Sequence, residues 1–410
     1  MNQNHYPKDE AFHKSLSGRY RTASIWQGIF FSALAIAILS LIALLYNVVD
    51  GAFGYVAYEY KKDPASFTTK ALDDLTQQEL LEILTTNLSQ GAFTKLDNEK
   101  PMTKRSKSDL YTLVLERLIQ IDTQQTWSMT DSIFRADEIK AEVAKQYPDA
   151  KLEFRSWLTP VFLSTPMSSK AEFAGVRTAI LGSLWMVGIA ILFALPIGTG
   201  AAIYLQEYAS KNFINNIIQT NINNLAGVPS IVYGMLGLAI FVRALEPFTS
   251  GSLFGVTDSN GRTILSAGLT MGTLVLPLII INAQEAIKAV PDSLRQAAFG
   301  VGATRWQTVW HHVLPNALPG ILTGSILAVS RAIGETAPLI VVGASTFISI
   351  DPDGPFSKFT ALPIQIYQWT TRAQSEFHSI AAAAIIVLLI LLLTLNASAI
   401  LLRNRVQRKY

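Results

Sequence analysis

Ser293-Leu-Arg-Gln-Ala-Ala-Phe-Gly-Val-Gly-Ala-Thr-Arg-Trp-Gln-Thr-Val-Trp-His-His-Val-Leu-Pro315 is the longest polar interruption in the hydrophobic second half of a 410-residue chain. A hydroxyl residue stands three positions before a glutamine twice, at Ser293/Gln296 and Thr304/Gln307. Each pair predicts a capping box, in which hydroxyl and amide side chains satisfy the free N–H groups of a helix start. The stretch reads as two short helices joined by Gly300-Val301-Gly302, with Pro291 just before the first and Pro315 after the second as outer limits. Leu294, Ala297 and Ala298 share a face of the first helix. Trp306, Val309, Trp310 and Val313 fall at i, i+3, i+4 and i+7 on the second. A small elbow with an alanine face suits a groove on another protein.

Around this elbow the chain is greasy. Half of its residues are hydrophobic, only 15% are charged, and mean hydropathy is +0.30. A net charge of +3 is too small to argue for nucleic acid, so the positive residues matter by position instead. The absence of cysteine excludes disulfides, thiolate metal sites and cysteine nucleophiles. No Gly-x-x-x-x-Gly-Lys-Ser/Thr loop is present, so ATP hydrolysis is not expected in this chain. The histidines, His5, His13, His311, His312 and His378, show no metal-ligand spacing with carboxylates, and no cofactor is expected. His311-His312 reads as solvated elbow surface.

In chain order, residues 1–24 form a polar tail carrying Lys8, Lys14, Arg19 and Arg21. Residues 25–46 are uncharged and long enough to cross a bilayer core as a retained helix, with no small-x-small cleavage signal after them. Residues 47–172 are charged and mostly polar. Amphipathic helices are expected near 71–89, 107–120 and 135–147, with Leu75, Leu80, Leu81 and Leu84 at helical intervals in the first. This block is large enough for a small domain, either a docking surface or a solvated insertion. Residues 173–403 hold five further spans: Thr178–Leu205, Phe213–Val242, Thr263–Ala283, Gly320–Ser345 and Ile380–Leu402. Several carry internal proline or glycine, which suits jointed helices packed around a pathway. A basic tail, 404–410, follows. With the N-terminus in the cytoplasm, Lys288, Arg295, Arg305 and the tail lie inside, while loop 246–262 outside has one arginine against two acids.

The fifth span contains Ser330-Arg-Ala-Ile-Gly-Glu-Thr336. Arg331 and Glu335 are four apart and can pair on one helix face. Charges at membrane depth usually face a bundle interior or a water-filled path. Two readings stand: a pair that neutralises itself and pins helices together, or a guanidinium fork offered to an anion and tuned by Glu335, beside Thr336. Arg243, at the end of the third span, is a second candidate that can also simply snorkel.

Two sets of motifs carry a resemblance. Importer permeases of the ATP-binding-cassette class have a loop reading Glu-Ala-Ala, three residues, Gly, nine residues, Ile-x-Leu-Pro. Gln296-Ala297-Ala298, Gly302 and His312-Val313-Leu314-Pro315 match that spacing, with Gln for Glu and His for Ile. Asn224-Leu-Ala-Gly-Val-Pro-Ser-Ile-Val-Tyr-Gly234, Ala289-Val-Pro-Asp-Ser-Leu-Arg-Gln-Ala-Ala298 and Arg331-Ala-Ile-Gly-Glu-Thr-Ala-Pro338 together resemble the phosphate-import permeases, PstA more than PstC. The resemblance covers roughly 175–403. It implies a type-1 importer core and does not explain the 47–172 insertion. Together with the six hydrophobic spans, whose alternation puts that insertion outside the cytoplasm, it makes the expected fold an all-α membrane protein with six transmembrane helices and a soluble, mainly helical extracytoplasmic insertion. It also implies that Ser293, Gln296, Ala297, Ala298, Gly302, Trp306, Leu314 and Pro315 belong to an ATPase-coupling loop. The implied partners are a PstC-like second permease, a PstB-like ATPase dimer, a PstS-like phosphate-binding protein, phosphate and the lipid bilayer. Another oxyanion such as molybdate or sulfate, or a signalling scaffold, are the alternative readings.

Overall fold

A computed structural model of the chain describes residues 10–407, apart from 69, 71, 100, 211 and 257–259. Lys8 and residues 408–410, part of the expected basic termini, lie outside the described residues. The chain divides into two compact units with the boundary between Asp50 and Gly51.

The first unit is helix α1, Glu10–Ala52, whose last turn enters the second unit. It is far longer than the span expected over 25–46, because no proline interrupts the polar residues ahead of the apolar block.

The second unit begins with strand β1, Phe53–Tyr60, and the insertion then alternates helices and strands. Helices α2 (Gln77–Asn87), α3 (Gln90–Glu99) and α4 (Lys107–Leu113) precede β2 (Ile121–Thr126). Then come α5 (Met129–Phe134), α6 (Ala136–Gln146), β3 (Lys151–Ser156) and α7 (Pro160–Ser164). The three expected helices are present, and Leu75, Leu80 and Leu84 are buried in the core beneath α2 and α4. The antiparallel sheet, in the order β2-β1-β3, is a departure from the helical expectation. Consecutive residues Val56 and Ala57 of β1 are both buried, one against the membrane-side core and one against Ile139 and Val143 of α6. A strand covered on both faces has no polar–apolar alternation to read.

The membrane helices follow. They are α8 (Arg177–Ile203), α9 (Phe213–Ala226), α10 (Ser230–Gly237), the short α11 (Glu246–Thr249) and α12 (Ile264–Lys288). After them come α13 (Asp292–Gly300), α14 (Arg305–Thr308), α15 (Leu314–Gly334), α16 (Ala337–Val342), α17 (Leu362–Thr370) and α18 (Ser375–Gln407). Among the described residues, five helical stretches are long and apolar enough to cross a bilayer, and α9 with α10 makes a sixth if the pair is one span. That pair is bent by 104°, so the third span is not the single rod expected over 213–242. Pro229 lacks an N–H and restricts Val228, which ends α9 at Gly227. The Tyr233 hydroxyl donates to the Leu225 carbonyl at 2.8 Å, satisfying one acceptor at the break.

The fifth span also differs from the expected 320–345. It runs without a break from Arg305 to Gly334. Pro315 therefore does not close the elbow. A π-helical turn over Val309–Val313 widens the backbone just ahead of it and leads straight into α15. Asn316 Nδ2 donates to the His312 carbonyl at 2.7 Å in the same turn.

Candidate functional site

In the elbow, α13 starts at Asp292, with Pro291 as its extended cap and no side-chain cap bond. Ser293 is thus already inside the first turn, and the expected Ser293–Gln296 box does not form. An acid in first helical position, facing the positive end of the helix dipole, replaces it. Gln296 and Ala297 are exposed while Ala298 is buried. At the far end, Ala303 N–H reaches the Ala298 carbonyl (3.0 Å) and Gly302 N–H the Phe299 carbonyl (2.9 Å). This nested pair is a Schellman turn, which requires the left-handed backbone that Gly302 supplies at φ +85°. Thr304 and Gln307 form their capping box as expected.

The apolar face expected on the second helix is divided. Val309 and Val313 are buried, whereas Trp306 and Trp310 are 59% and 52% exposed and stack on each other at 5.4 Å. Leu314 and Pro315 are half-buried at the start of α15. Leu294 and Val313 pack with Ala202, Ile287 and Val290 from the ends of the neighbouring spans.

One anchoring residue was not singled out from sequence. Arg295 Nη2 pairs with Glu207 Oε1 at 2.8 Å, and both side chains are nearly buried, at 14% and 10% exposure. The guanidinium also donates to the Val290 and Ile287 carbonyls and to Asp292. The Arg305 guanidinium lies 5.8 Å from the Tyr208 ring. Glu207 and Tyr208 belong to a π-helical turn, Tyr204–Tyr208, that extends α8. The elbow is thereby tied to the second span by partners far away in sequence, 88 positions apart for Arg295 and Glu207, where no local pattern points.

The other candidates sit elsewhere. Arg331 lies in the last turn of α15, and its Nε is 3.5 Å from Glu335 Oε1. They pair as expected, although Glu335 has left the helix and adopts an extended backbone. Arg331 is half-exposed, and Glu335 and Thr336 are partly buried. The bond from this turn to α18 is made by its neighbour: Ser330 Oγ donates to Asn396 Oδ1 at 2.6 Å. Arg243 is exposed in the π-helical turn Leu238–Ala244. The elbow and the charge pair are thus separated, but one helix of 30 residues, about 45 Å long, joins them.

Several bilayer-length helices, one of them continuous with a surface elbow, define an integral membrane protein. The chain belongs to the family described as binding-protein-dependent transport system inner membrane component, which matches residues 194–410 and so includes the elbow and Arg331–Glu335.

Among its relatives is the probable ABC transporter permease protein YqgI of Bacillus subtilis, 33% identical over 211 residues, 51% of this chain and 67% of YqgI. The phosphate transport system permease protein PstA 1 of Mycobacterium tuberculosis (strain H37Rv) is 33% identical over 234 residues, 57% of this chain and 71% of that protein. The phosphate transport system permease protein PstC of Haemophilus influenzae is 33% identical over 218 residues, 49% of this chain and 66% of that protein. A solved bacterial alginate ABC transporter overlaps 76% of this chain and 95% of its own at 17% identity and a TM-score of 0.44. The assignment rests on the family match and the sequence relatives.

Proposed function

We propose that this chain is the membrane-spanning permease subunit of an ATP-driven importer of inorganic phosphate. The carrying observation is that relatives named for phosphate transport align at about one-third identity with about half of the chain. The partners that fit are a PstC-like second permease, a PstB-like ATPase dimer on the elbow and a PstS-like binding protein on the insertion side. Both chain termini then lie on the ATPase side.

In this reading Gln296, Ala297 and the turn at Gly302 meet the ATPase, and Arg295 fixes the elbow to the second span. Closure of the ATPase pair displaces the elbow, and the continuous helix 305–334 carries that displacement toward Arg331. Transport is driven only if the anion binds differently in the two states. The Arg331 fork, with Glu335 as an internal competitor for it and Thr336 alongside, supplies such a contact, and Arg243 provides a further positive group near the end of the bent pair.

The test is radiolabelled phosphate uptake by cells with and without the chain, in a background lacking other importers, challenged with molybdate and sulfate. Saturable uptake that needs the chain and resists both competitors is expected. Competition by either anion would move the substrate assignment to that anion. In the same assay, Arg331→Gln abolishes uptake with the complex assembled; loss of assembly would assign the pair to structure.

A further inference from the structure

The elbow and the charge pair leave unexplained the composition of α9, which is rich in amides although it belongs to a segment apolar enough to span a bilayer. At 100° per residue, Asn216, Gln219, Thr220, Asn223 and Asn224 fall on one side, opposite Ile218, Ile222 and Leu225. Asn215 and Asn221 are locally satisfied, each donating to a nearby carbonyl at 2.8 Å. The amides of the stripe are organised differently.

Gln284 is buried on α12, the most buried of the spans in the second unit. Its Nε2 donates to Gln219 Oε1 at 2.8 Å, and Gln219 Nε2 donates back to Gln284 Oε1 at 3.1 Å. Gln219 Nε2 also donates to Asn223 Oδ1 at 3.2 Å. This network takes the Asn223 carbonyl, so the two N–H groups of Asn223 are the end that remains. Among the described residues, neither that nitrogen nor the side-chain amides of Asn216 and Asn224 have a hydrogen-bond partner, and all three residues are exposed. Chained amides polarise one another, which strengthens the terminal donor.

Lipid cannot satisfy such donors, so this face needs water or an acceptor. We infer that the stripe Asn216–Asn223–Asn224 is a low-affinity station for an oxyanion, held there by neutral N–H donors, those of Asn223 being oriented by the Gln219–Gln284 pair. At Asn223 the acceptor is consumed and both N–H donors remain, which selects an oxyanion over a cation at that position; the Asn216 and Asn224 amides can turn their donors toward it. Neutral donors suit passage, because a site must bind weakly enough to release. Gly324 packs on Asn282, near the level of Gln284, and Arg331 lies two turns beyond it. The stripe therefore lies nearer the elbow than Arg331 does. This inference rests on the anion-importer reading above.

The test uses the complete importer in proteoliposomes, comparing wild type with Asn223→Leu and Asn223→Asp by labelled phosphate uptake per assembled complex. Both variants should lower the maximal rate, Asn223→Asp by about tenfold or more, because its charge repels the anion. The Asn223→Asp defect, taken relative to wild type at each pH, should relax as the pH is lowered toward the carboxyl pKa; that of Asn223→Leu should not. Unchanged uptake in both variants overturns the inference. So does failure of the second permease to co-purify while uptake per assembled complex stays normal, which would make the stripe a subunit contact. If wild type carries sulfate or molybdate but no phosphate, the phosphate reading fails and the same comparison is made with the carried anion.

Discussion

Arg295 shows what one residue does when its charge is withdrawn from water. Its guanidinium reaches Glu207, Asp292 and two backbone carbonyls, so each of its N–H donors has an acceptor. Removing one partner of a nearly buried pair leaves the other charge uncompensated, which typically destabilises by about 3–5 kcal/mol. Glu207→Ala should therefore lower the thermal stability of the purified protein substantially, and Arg295→Met should do the same. The double variant should lose clearly less than the two single losses summed, because it leaves no orphaned carboxylate. Additive losses in that cycle would show that the two side chains are not coupled. In the sequence, Arg295 registers only as a positive charge on the elbow.

For the elbow as an element, the decisive position is Gly302. A Cβ built there meets nothing within 4 Å, so substitution is opposed by the backbone alone. A left-handed alanine is penalised by roughly 1–2 kcal/mol. Proline cannot reach φ +85° and loses the N–H that bonds Phe299. Gly302→Pro should uncouple ATP hydrolysis from uptake with normal amounts of protein in the membrane, while Gly302→Ala should retain partial coupling. Normal uptake in the proline variant would remove the elbow from the mechanism. Gly302 and the Thr304–Gln307 box were legible because turn and cap chemistry are local. The Ser293 box was not, because the chain begins its helix two residues sooner, at Asp292 with Pro291 as the cap. The bend between α9 and α10 had its local sign in Gly227-Val-Pro229, but its 104° angle did not.

At the scale of the molecule, the insertion is not a separate globule on a tether. Val56, Trp157, Phe162 and Met167 share one hydrophobic core with Leu362 and Trp369 of α17 and with Phe377 and Ile380 of α18. Phe162 packs on Trp369 with ring centroids 6.2 Å apart. Arg177, at the start of α8, adds a polar tie, donating from Nη1 to the Ser164 carbonyl while pairing with Asp351 in the loop before α17. Phe162→Ala should cost about 3–5 kcal/mol. Insertion and membrane helices should then melt together at a lower temperature, read by limited proteolysis of both regions during heating. Early cleavage confined to residues 53–164, with the membrane helices unaffected, would show that the shared core does not couple them.

The sequence by itself determined the membrane class, the number of bilayer-length segments, the turn at Gly302 and the permease family, because hydropathy, turn chemistry and motif spacing are properties of neighbouring residues. Only the tertiary structure decided which distant groups meet. Glu207 finds Arg295, Gln219 finds Gln284, and Trp157 and Phe162 join the core of α17 and α18. It also decided that β1 is covered on both faces and that the elbow runs unbroken into the fifth span. Burial on two sides and pairing across many turns depend on where the whole chain closes, and no local pattern encodes that.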